Sequence, residues 1–170
     1  MSGLSQPLQP WSWLLVPALI CAIATIMLDA PARFGPLGLP EPVFAMVPAF
    51  AWAVIRPSVL GPFVVLLSGL FLDFFWREPL GMWALALLAA YTATLATRNL
   101  MVGQPEQVLW AWYAAVTVLA FLVAVVILTL ESRNMPNLLG VIWQGGLTAL
   151  MYPLARRLIE RFENTDLRFR

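Results

Sequence analysis

The stretch VLWAWYAAVTVLAFLVAVVILTL, from Val108 to Leu130, decides the fold class of this chain. It contains no charged residue, and as a helix it would be about 34 Å long at about 1.5 Å per residue. The hydrocarbon core of a bilayer is about 30 Å thick. The stretch therefore predicts a helix that crosses a membrane.

The composition of the whole chain agrees with this prediction. Of its 170 residues, 61% are hydrophobic and only 11% are charged. A soluble domain has about 25% charged residues, which keep its surface hydrated. The hydrophobic residues also come in runs about as long as a bilayer span, rather than at the period of an amphipathic helix or strand. We therefore expect an integral membrane protein and not a soluble globule.

Five further apolar runs accompany the longest one. We predict an all-α, polytopic membrane bundle of about six transmembrane helices, without a soluble domain. It forms a single membrane domain over residues 1–170, in which a basic tail over 156–170 closes the chain. The predicted spans cover about 11–29, 41–55, 58–76, 80–97, 108–130 and 138–157.

The first two spans each leave alternatives open. Ala30-Pro31-Ala32 is similar to a signal-peptide cleavage site, but the segment before the first span has no Lys or Arg and the apolar run is long, which favours a span. The second span is short, and Pro48 interrupts it. It must thin the bilayer, continue into the connection before it, or enter as a broken segment that neighbouring helices cover.

The arginines predict the orientation in the membrane. With six spans, both termini lie on one side, and that side holds seven of the ten basic residues: Arg56, Arg98 and the five arginines of the tail. Arg33, Arg77 and Arg133 lie opposite. Because basic residues accumulate on the cytoplasmic side, we expect cytoplasmic termini. The small basic tail favours anionic lipid head groups rather than nucleic acid as its partner.

The chain lacks the residues that most catalytic, metal-binding and disulfide sites require. The chain has no histidine, and its single cysteine, Cys21, lies inside the first apolar run. Histidine is the most common general base and metal ligand, and one cysteine builds neither a disulfide nor a CxxC site. Nucleophile, phosphate-binding and metalloprotease motifs are also lacking. We therefore expect no enzyme activity, no metal and no cofactor.

The segment GLFLDFFWREPLG, from Gly69 to Gly81, is the most informative polar feature, because it places a carboxylate among aromatic and aliphatic residues. One interpretation is structural: Asp73 and Arg77, four residues apart, pair on one helix face at the helix end, and Gly81 lets the next helix begin. The other is functional, since an ionisable residue within a membrane is a candidate site. In that case the chain reversal that contains Pro79 is a docking or gating site.

Two further features have two interpretations each, and Pro153 has one. Arg56, before Pro57, is a topology anchor or a contact to a head group or partner. Gly145 and Gly146 favour a helix-packing surface over a ligand site, and the packing partner is either internal or another protein. Pro153 predicts a kink near the end of the last span.

Two of these patterns carry a resemblance to a known family. The segment from about Arg56 to Arg98, with Gly69-x-x-x-Asp73 and Pro79-Leu80-Gly81, resembles the rod shape-determining protein MreD family. The ending, from Gly146 through Tyr152-Pro153-Leu154 to Arg156-Arg157-Leu158, is also similar to that family. The region from Ala30 to Pro40 and the second span differ more from its pattern.

The resemblance implies a function and a set of partners. Members are small, non-enzymatic proteins of the bacterial inner membrane that serve cell elongation, the lateral peptidoglycan synthesis that maintains rod shape. It implies association with the bitopic membrane protein MreC and, through it, with MreB filaments and with peptidoglycan synthases of the RodA and penicillin-binding type. No catalytic residue comes with it. A membrane scaffold without a soluble domain fits this role.

Two other functions are considered beside it. A substrate-binding membrane subunit of a vitamin-type transporter would have the same size and span count, and the MreD family is thought to be similar to such subunits in fold. It would need an outward pocket with several polar groups, for which Asp29, Glu41, Arg77 and Glu78 are available. An intramembrane lipid-modifying enzyme would depend on Asp73 as a water-accessible carboxylate.

Overall fold

The computed structural model describes residues 10–34, 41–55, 58–101, 103–132 and 137–167. Over these residues it is all-helical and contains no strand, which confirms the predicted all-α class. Each of the six predicted spans contains a helix, and the last contains two. The helices are α1 (Pro10–Phe34), α2 (Met46–Ile55), α3 (Gly61–Trp76), α4 (Met82–Met101), α5 (Glu106–Ser132), α6 (Leu138–Ala149) and α7 (Tyr152–Leu167).

Two helical stretches of the described chain are long and apolar enough to cross a membrane. They are Glu106–Glu131 in α5 and Leu138–Glu160, which runs through α6 and a short break into α7. The apolar stretches in α1, α2 and α3 are shorter. By length and composition, the two long stretches support a membrane location, and the count of six spans stays a prediction.

The short helix α2 lies at the centre of the structure. Every residue from 41 to 53 is buried, and Phe50 and Trp52 are each only 1% exposed. The helix packs mainly against α4 and α7, with smaller contacts to α3 and α1. The shortest of the predicted spans, which Pro48 interrupts, is therefore buried between α4 and α7.

The segment before α2 explains why the helix is short. Residues 41–45 are not helical, although all of them are buried. The backbone N–H of Val43 donates to Oγ1 of Thr148 in α6, at 3.0 Å. Non-helical backbone inside a membrane protein is stable only where protein covers it and satisfies its polar groups. A covered, non-helical segment is what the broken-segment path predicts, and the span itself stays a prediction.

The first helix is peripheral. α1 contacts α3 and, to a smaller extent, α2. Many of its apolar side chains face outward, and five examples with exposed fractions between 52% and 64% are Val16, Leu19, Ile20, Ile23 and Met27. A cavity of about 230 Å³ lies between α1, α2 and α3, beside these contacts. Such a surface would need an apolar solvent, which agrees with the predicted membrane location.

Candidate functional site

Helices α3 and α4 approach each other so closely at Gly69 that no other residue fits there. A Cβ atom on Gly69 would lie 2.3 Å from Cα and 2.6 Å from the backbone nitrogen of Ala84. Both atoms belong to backbone, which cannot rotate away as a side chain can. Gly69 therefore lets the first turn of α4 rest directly on α3.

One turn further along the same face of α3, the carboxylate of Asp73 caps the first turn of α4. Oδ1 accepts a hydrogen bond from the backbone N–H of Trp83 at 2.7 Å, and Oδ2 accepts from Gly81 at 2.8 Å and more weakly from Ala84 at 3.5 Å. Asp73 itself is completely buried. A helix N-terminus carries unpaired N–H groups and a partial positive charge, and a carboxylate satisfies both.

The chain between the two helices is a tight reversal. α3 ends at Trp76, Arg77 adopts the left-handed conformation with φ of 58°, and the N–H groups of Arg77 and Glu78 both donate to the carbonyl oxygen of Asp73. Gly81, with φ of 97°, precedes α4. Asp73 thus joins the reversal through its backbone and its side chain, and Gly69, Asp73 and the reversal form one unit, which we call the corner.

This geometry corrects the structural interpretation of Asp73 and Arg77. The sequence spacing predicted an ion pair between them on one helix face. In the part of the chain that the structure describes, no ion pair joins them, because the carboxylate points toward α4 and Arg77 lies past the helix end with an exposed side chain. The predicted helix end and the start of the next helix at Gly81 are both present.

The buried charge of Asp73 affects its neighbour in the reversal. Partial burial raises the pKa of the Glu78 carboxyl above its usual value, and the negative charge of Asp73 raises it further. Both effects disfavour the ionised form of Glu78, which lacks a positive partner among the described residues. The corner therefore has one satisfied carboxylate inside and one unsatisfied carboxyl group near its surface.

Aromatic rings connect the corner to the rest of the structure. Trp76, at the end of α3, packs edge-on against Trp83 in the first turn of α4, with ring centroids 5.6 Å apart. Trp83 in turn packs edge-on against Phe121 of α5, at 5.3 Å. Such contacts stabilise a pair by about 0.5–1.5 kcal/mol beyond the burial of area. The corner is thus held from the α5 side as well.

The predicted kink at Pro153 is present as a break between α6 and α7 at residues 150–151. Proline has no N–H, so it cannot bond to the carbonyl four residues earlier, that of Ala149. The indole N–H of Trp110 in α5 donates to this carbonyl at 3.3 Å, and the hydroxyl of Tyr113 donates to the carbonyl of Thr148 at 3.2 Å. Side chains of α5 therefore satisfy the broken end of α6.

The glycines of α6 behave differently from Gly69. A Cβ atom on Gly146 would have no neighbour within 4 Å, and one on Gly145 would lie 3.8 Å from the ring of Phe121, an ordinary contact distance. Between α5 and α6 runs an open apolar groove of about 400 Å³, lined among others by Phe121, Leu122 and Ile142. Within the described chain, Gly146 is therefore not a packing position.

Two positions at or just before the start of α3 remain, Arg56 and Gly61. Arg56, the predicted anchor, lies outside the described residues. Gly61 is not among the predicted site residues. A Cβ atom there would come 2.5 Å from the side-chain hydroxyl of Tyr91 on α4, so this glycine leaves room for the Tyr91 ring beside α3. Ser58, three residues earlier, accepts through its Oγ from the N–H groups of Leu60 and Gly61, but this local cap does not predict the contact with Tyr91.

The Asp73 carboxylate and the hydroxyls of the cavity beside α1 are bonded to backbone and are not free to react. Both oxygens of Asp73 are bonded to backbone, and no cluster of metal-binding side chains occurs in the part of the chain that the structure describes. The cavity beside α1 contains two hydroxyls, Thr25 and Ser68, and each donates to a backbone carbonyl of its own helix. Comparison with protein-family models, curated proteins and solved structures finds no match.

Proposed function

We propose that this chain is a non-enzymatic, multi-pass subunit of the bacterial inner membrane, with six spans and cytoplasmic termini. Its role is to bind an MreC-type bitopic protein within the machinery of lateral peptidoglycan synthesis, and so to maintain rod shape. MreB filaments and synthases of the RodA and penicillin-binding type would be reached through that partner. The proposal starts from the resemblance to the MreD family in the segment around the corner.

The observation that carries the proposal is the engagement of Asp73. It is the acid of the Gly69-x-x-x-Asp73 pattern, and both of its oxygens bond to the backbone at the start of α4. A carboxylate in this state caps a helix and is not free to transfer a proton or attack a substrate. This supports a role in building a stable membrane bundle over a role in lipid chemistry.

The surfaces of the bundle also favour contact over ligand capture. Both cavities described above are lined almost entirely by apolar side chains. A vitamin-binding subunit needs several polar groups that converge on its substrate. Exposed apolar helix faces, by contrast, are what a partner helix packs against in a membrane. The transporter alternative therefore receives less support.

Deletion of the gene in a rod-shaped host tests the proposal directly. We expect rounded cells, restoration of rods by the wild-type gene, and co-purification of the MreC-type partner with this chain from solubilised membranes. Unchanged rod shape together with absence of the partner from the purified protein would refute the proposal. Tight binding of a vitamin by the purified protein would instead favour the transporter alternative.

Photo-crosslinking then locates the contact. A photoreactive residue is placed in turn at three positions that are 60–70% exposed, Leu19 in α1, Leu67 in α3 and Ile142 in α6, and at the fully buried Leu87 as the matched control. We expect crosslinks to the partner's span from at least one exposed position and none from Leu87. Crosslinks to lipid alone from all three exposed positions would contradict contact through these faces.

A further inference from the structure

The outer surface of the corner differs from its inner side. Phe74 and Leu80 are 81% and 78% exposed, among the highest values for large apolar side chains in the described chain, and Arg77, which lies between them in the sequence, is also exposed. In the described part of the chain, the guanidinium of Arg77 has neither an ion pair nor a hydrogen bond. We call Phe74, Arg77, Glu78 and Leu80 the corner patch.

The backbone at Arg77 adopts a conformation that is unusual for a residue with a side chain. Its φ of 58° is the only positive value at a non-glycine position in the described residues. Glycine is the usual residue at such a helix end, because a Cβ atom is strained in the left-handed conformation. An arginine here accepts that strain, and its guanidinium makes no ion pair or hydrogen bond within the described chain. Such strain is typical of positions whose side chain has a function.

The corner patch carries two opposite charges at adjacent positions. The N–H groups of Arg77 and Glu78 both donate to the carbonyl of Asp73, so the backbone of the two residues is fixed against the end of α3. Their side chains do not pair with each other. The raised pKa of Glu78, caused by partial burial and by Asp73, is what a nearby cation would counteract.

The size of the patch limits what it binds. A stable protein interface covers about 800 Å² on each partner, or about 20 residues, whereas this patch has four side chains. A single lipid head group needs only a few contacts. Arginine binds phosphate through two parallel N–H bonds, and apolar side chains beside it enter the acyl region, as in interfacial anchors.

From these observations we propose that the corner patch binds one zwitterionic phospholipid head group with a primary ammonium, as in phosphatidylethanolamine. The guanidinium of Arg77 holds the phosphate, the carboxylate of Glu78 accepts from the ammonium, and Phe74 and Leu80 contact the acyl chains. The proposal rests on the membrane location in the proposed function, and not on the role in cell elongation.

Native mass spectrometry of the delipidated protein in detergent tests this proposal. Phosphatidylethanolamine, phosphatidylcholine and phosphatidylglycerol with identical acyl chains are titrated separately. We expect one ethanolamine lipid to bind about tenfold more tightly than either of the others, the value of one charge-assisted contact. Choline cannot donate a hydrogen bond to Glu78, and glycerol offers it no positive charge. Equal affinities for the three lipids would overturn the proposal.

Variants separate the roles of the two charges. Arg77→Gly should abolish the tight binding of the one ethanolamine lipid. It should also raise the melting temperature of the lipid-free protein by about 2–4 °C, because the backbone strain is relieved. Glu78→Gln should keep phosphate binding but lose the preference for ethanolamine. The control is Arg157→Ala on α7, an exposed arginine outside the patch, which should change neither property.

The same variants distinguish a lipid site from a protein site. If Arg77→Gly leaves ethanolamine binding intact but prevents co-purification of the MreC-type partner, the patch is a protein contact and the lipid proposal is wrong. If the lipid preference behaves as expected while deletion of the gene leaves rod shape unchanged, only the proposed function fails.

Discussion

Gly69 and Gly146 look alike in the sequence, since both are helix glycines in apolar surroundings, but the structure places them in opposite environments. A Cβ atom on Gly69 would collide with the backbone of Ala84, whereas one on Gly146 would meet nothing within 4 Å. The first glycine joins two helices of the same chain. The second leaves an open groove between α5 and α6.

The comparison shows what a small residue contributes in each place. At Gly69 the missing side chain lets α4 come near enough for Asp73 to cap it, so close packing and the buried charge depend on each other. At Gly146 the missing side chain contributes nothing to the fold of this chain. Substitutions at the two sites should therefore have opposite effects on stability.

The largest expected effect is that of Gly69→Ala. The new methyl group would meet backbone 2.3 Å away, so the helices must separate, and the hydrogen bonds from α4 to Asp73 must lengthen or break. Overpacking of this kind costs about 1–3 kcal/mol, and the linked loss of the cap puts this variant at the upper end of that range. Unfolding by SDS titration from mild detergent, followed by tryptophan fluorescence, measures it. A loss below about 0.5 kcal/mol would contradict the close approach.

The next largest effect is expected for Asp73→Ala. It leaves the buried N–H of Trp83 and the half-buried N–H of Gly81 without their acceptor, which costs about 1–3 kcal/mol. The matched control is Glu106→Gln, which removes an acid that pairs with Arg156 on the surface and should cost less than about 1 kcal/mol. The two variants are compared in the same unfolding assay. Equal losses would show that Asp73 is not a cap.

The sequence predicts the helices of this protein better than it predicts their neighbours. Apolar runs locate the helical segments, because a span needs about 20 apolar residues. In a membrane, however, side chains that face lipid and side chains that face the core are both apolar, so composition does not distinguish inside from outside. That is why nothing in the short run around Pro48 predicts that α2 is the most buried helix of the described chain.

The corner was predictable only in part. The left-handed turn and the helix start at Gly81 follow from local residue preferences. The direction of the Asp73 side chain depends on α4 lying against Gly69, a contact between helices that the spacing of Asp73 and Arg77 does not contain. The spacing therefore predicted a local ion pair where the structure has a cap between helices.

A smaller effect of the opposite sign is expected for Gly146→Ala. Alanine favours a helix over glycine by about 1 kcal/mol, and the new methyl group has free space, so the variant should be up to about 1 kcal/mol more stable. Thermal unfolding in detergent compares the melting temperatures of Gly146→Ala, Gly69→Ala and the wild type. A destabilised Gly146→Ala would mean that this glycine packs against something in the purified protein, for which a second copy of the chain is the first candidate.

The smallest effect concerns Glu78, which refines the picture of the corner. Because its pKa is higher in the folded state than in the unfolded chain, the folded state binds the proton more tightly. Its contribution to stability is therefore complete below the usual carboxyl pKa and is lost as the pH rises through the raised value. Glu78→Gln, which cannot ionise, should therefore become more stable than the wild type as the pH rises through this pKa.

The gain should stay below about 1 kcal/mol, because water screens a carboxyl group that is only partly buried. The difference between the two melting curves, recorded in lipid-free detergent from pH 4 to pH 8, isolates Glu78 from the other acids. With phosphatidylethanolamine present the sign should reverse, since the variant then loses the partner of the ammonium. If the difference in melting temperature between wild type and Glu78→Gln depends on neither pH nor lipid, the Glu78 carboxyl already has a compensating partner at the corner. The corner patch would then offer a head group only the charge of Arg77.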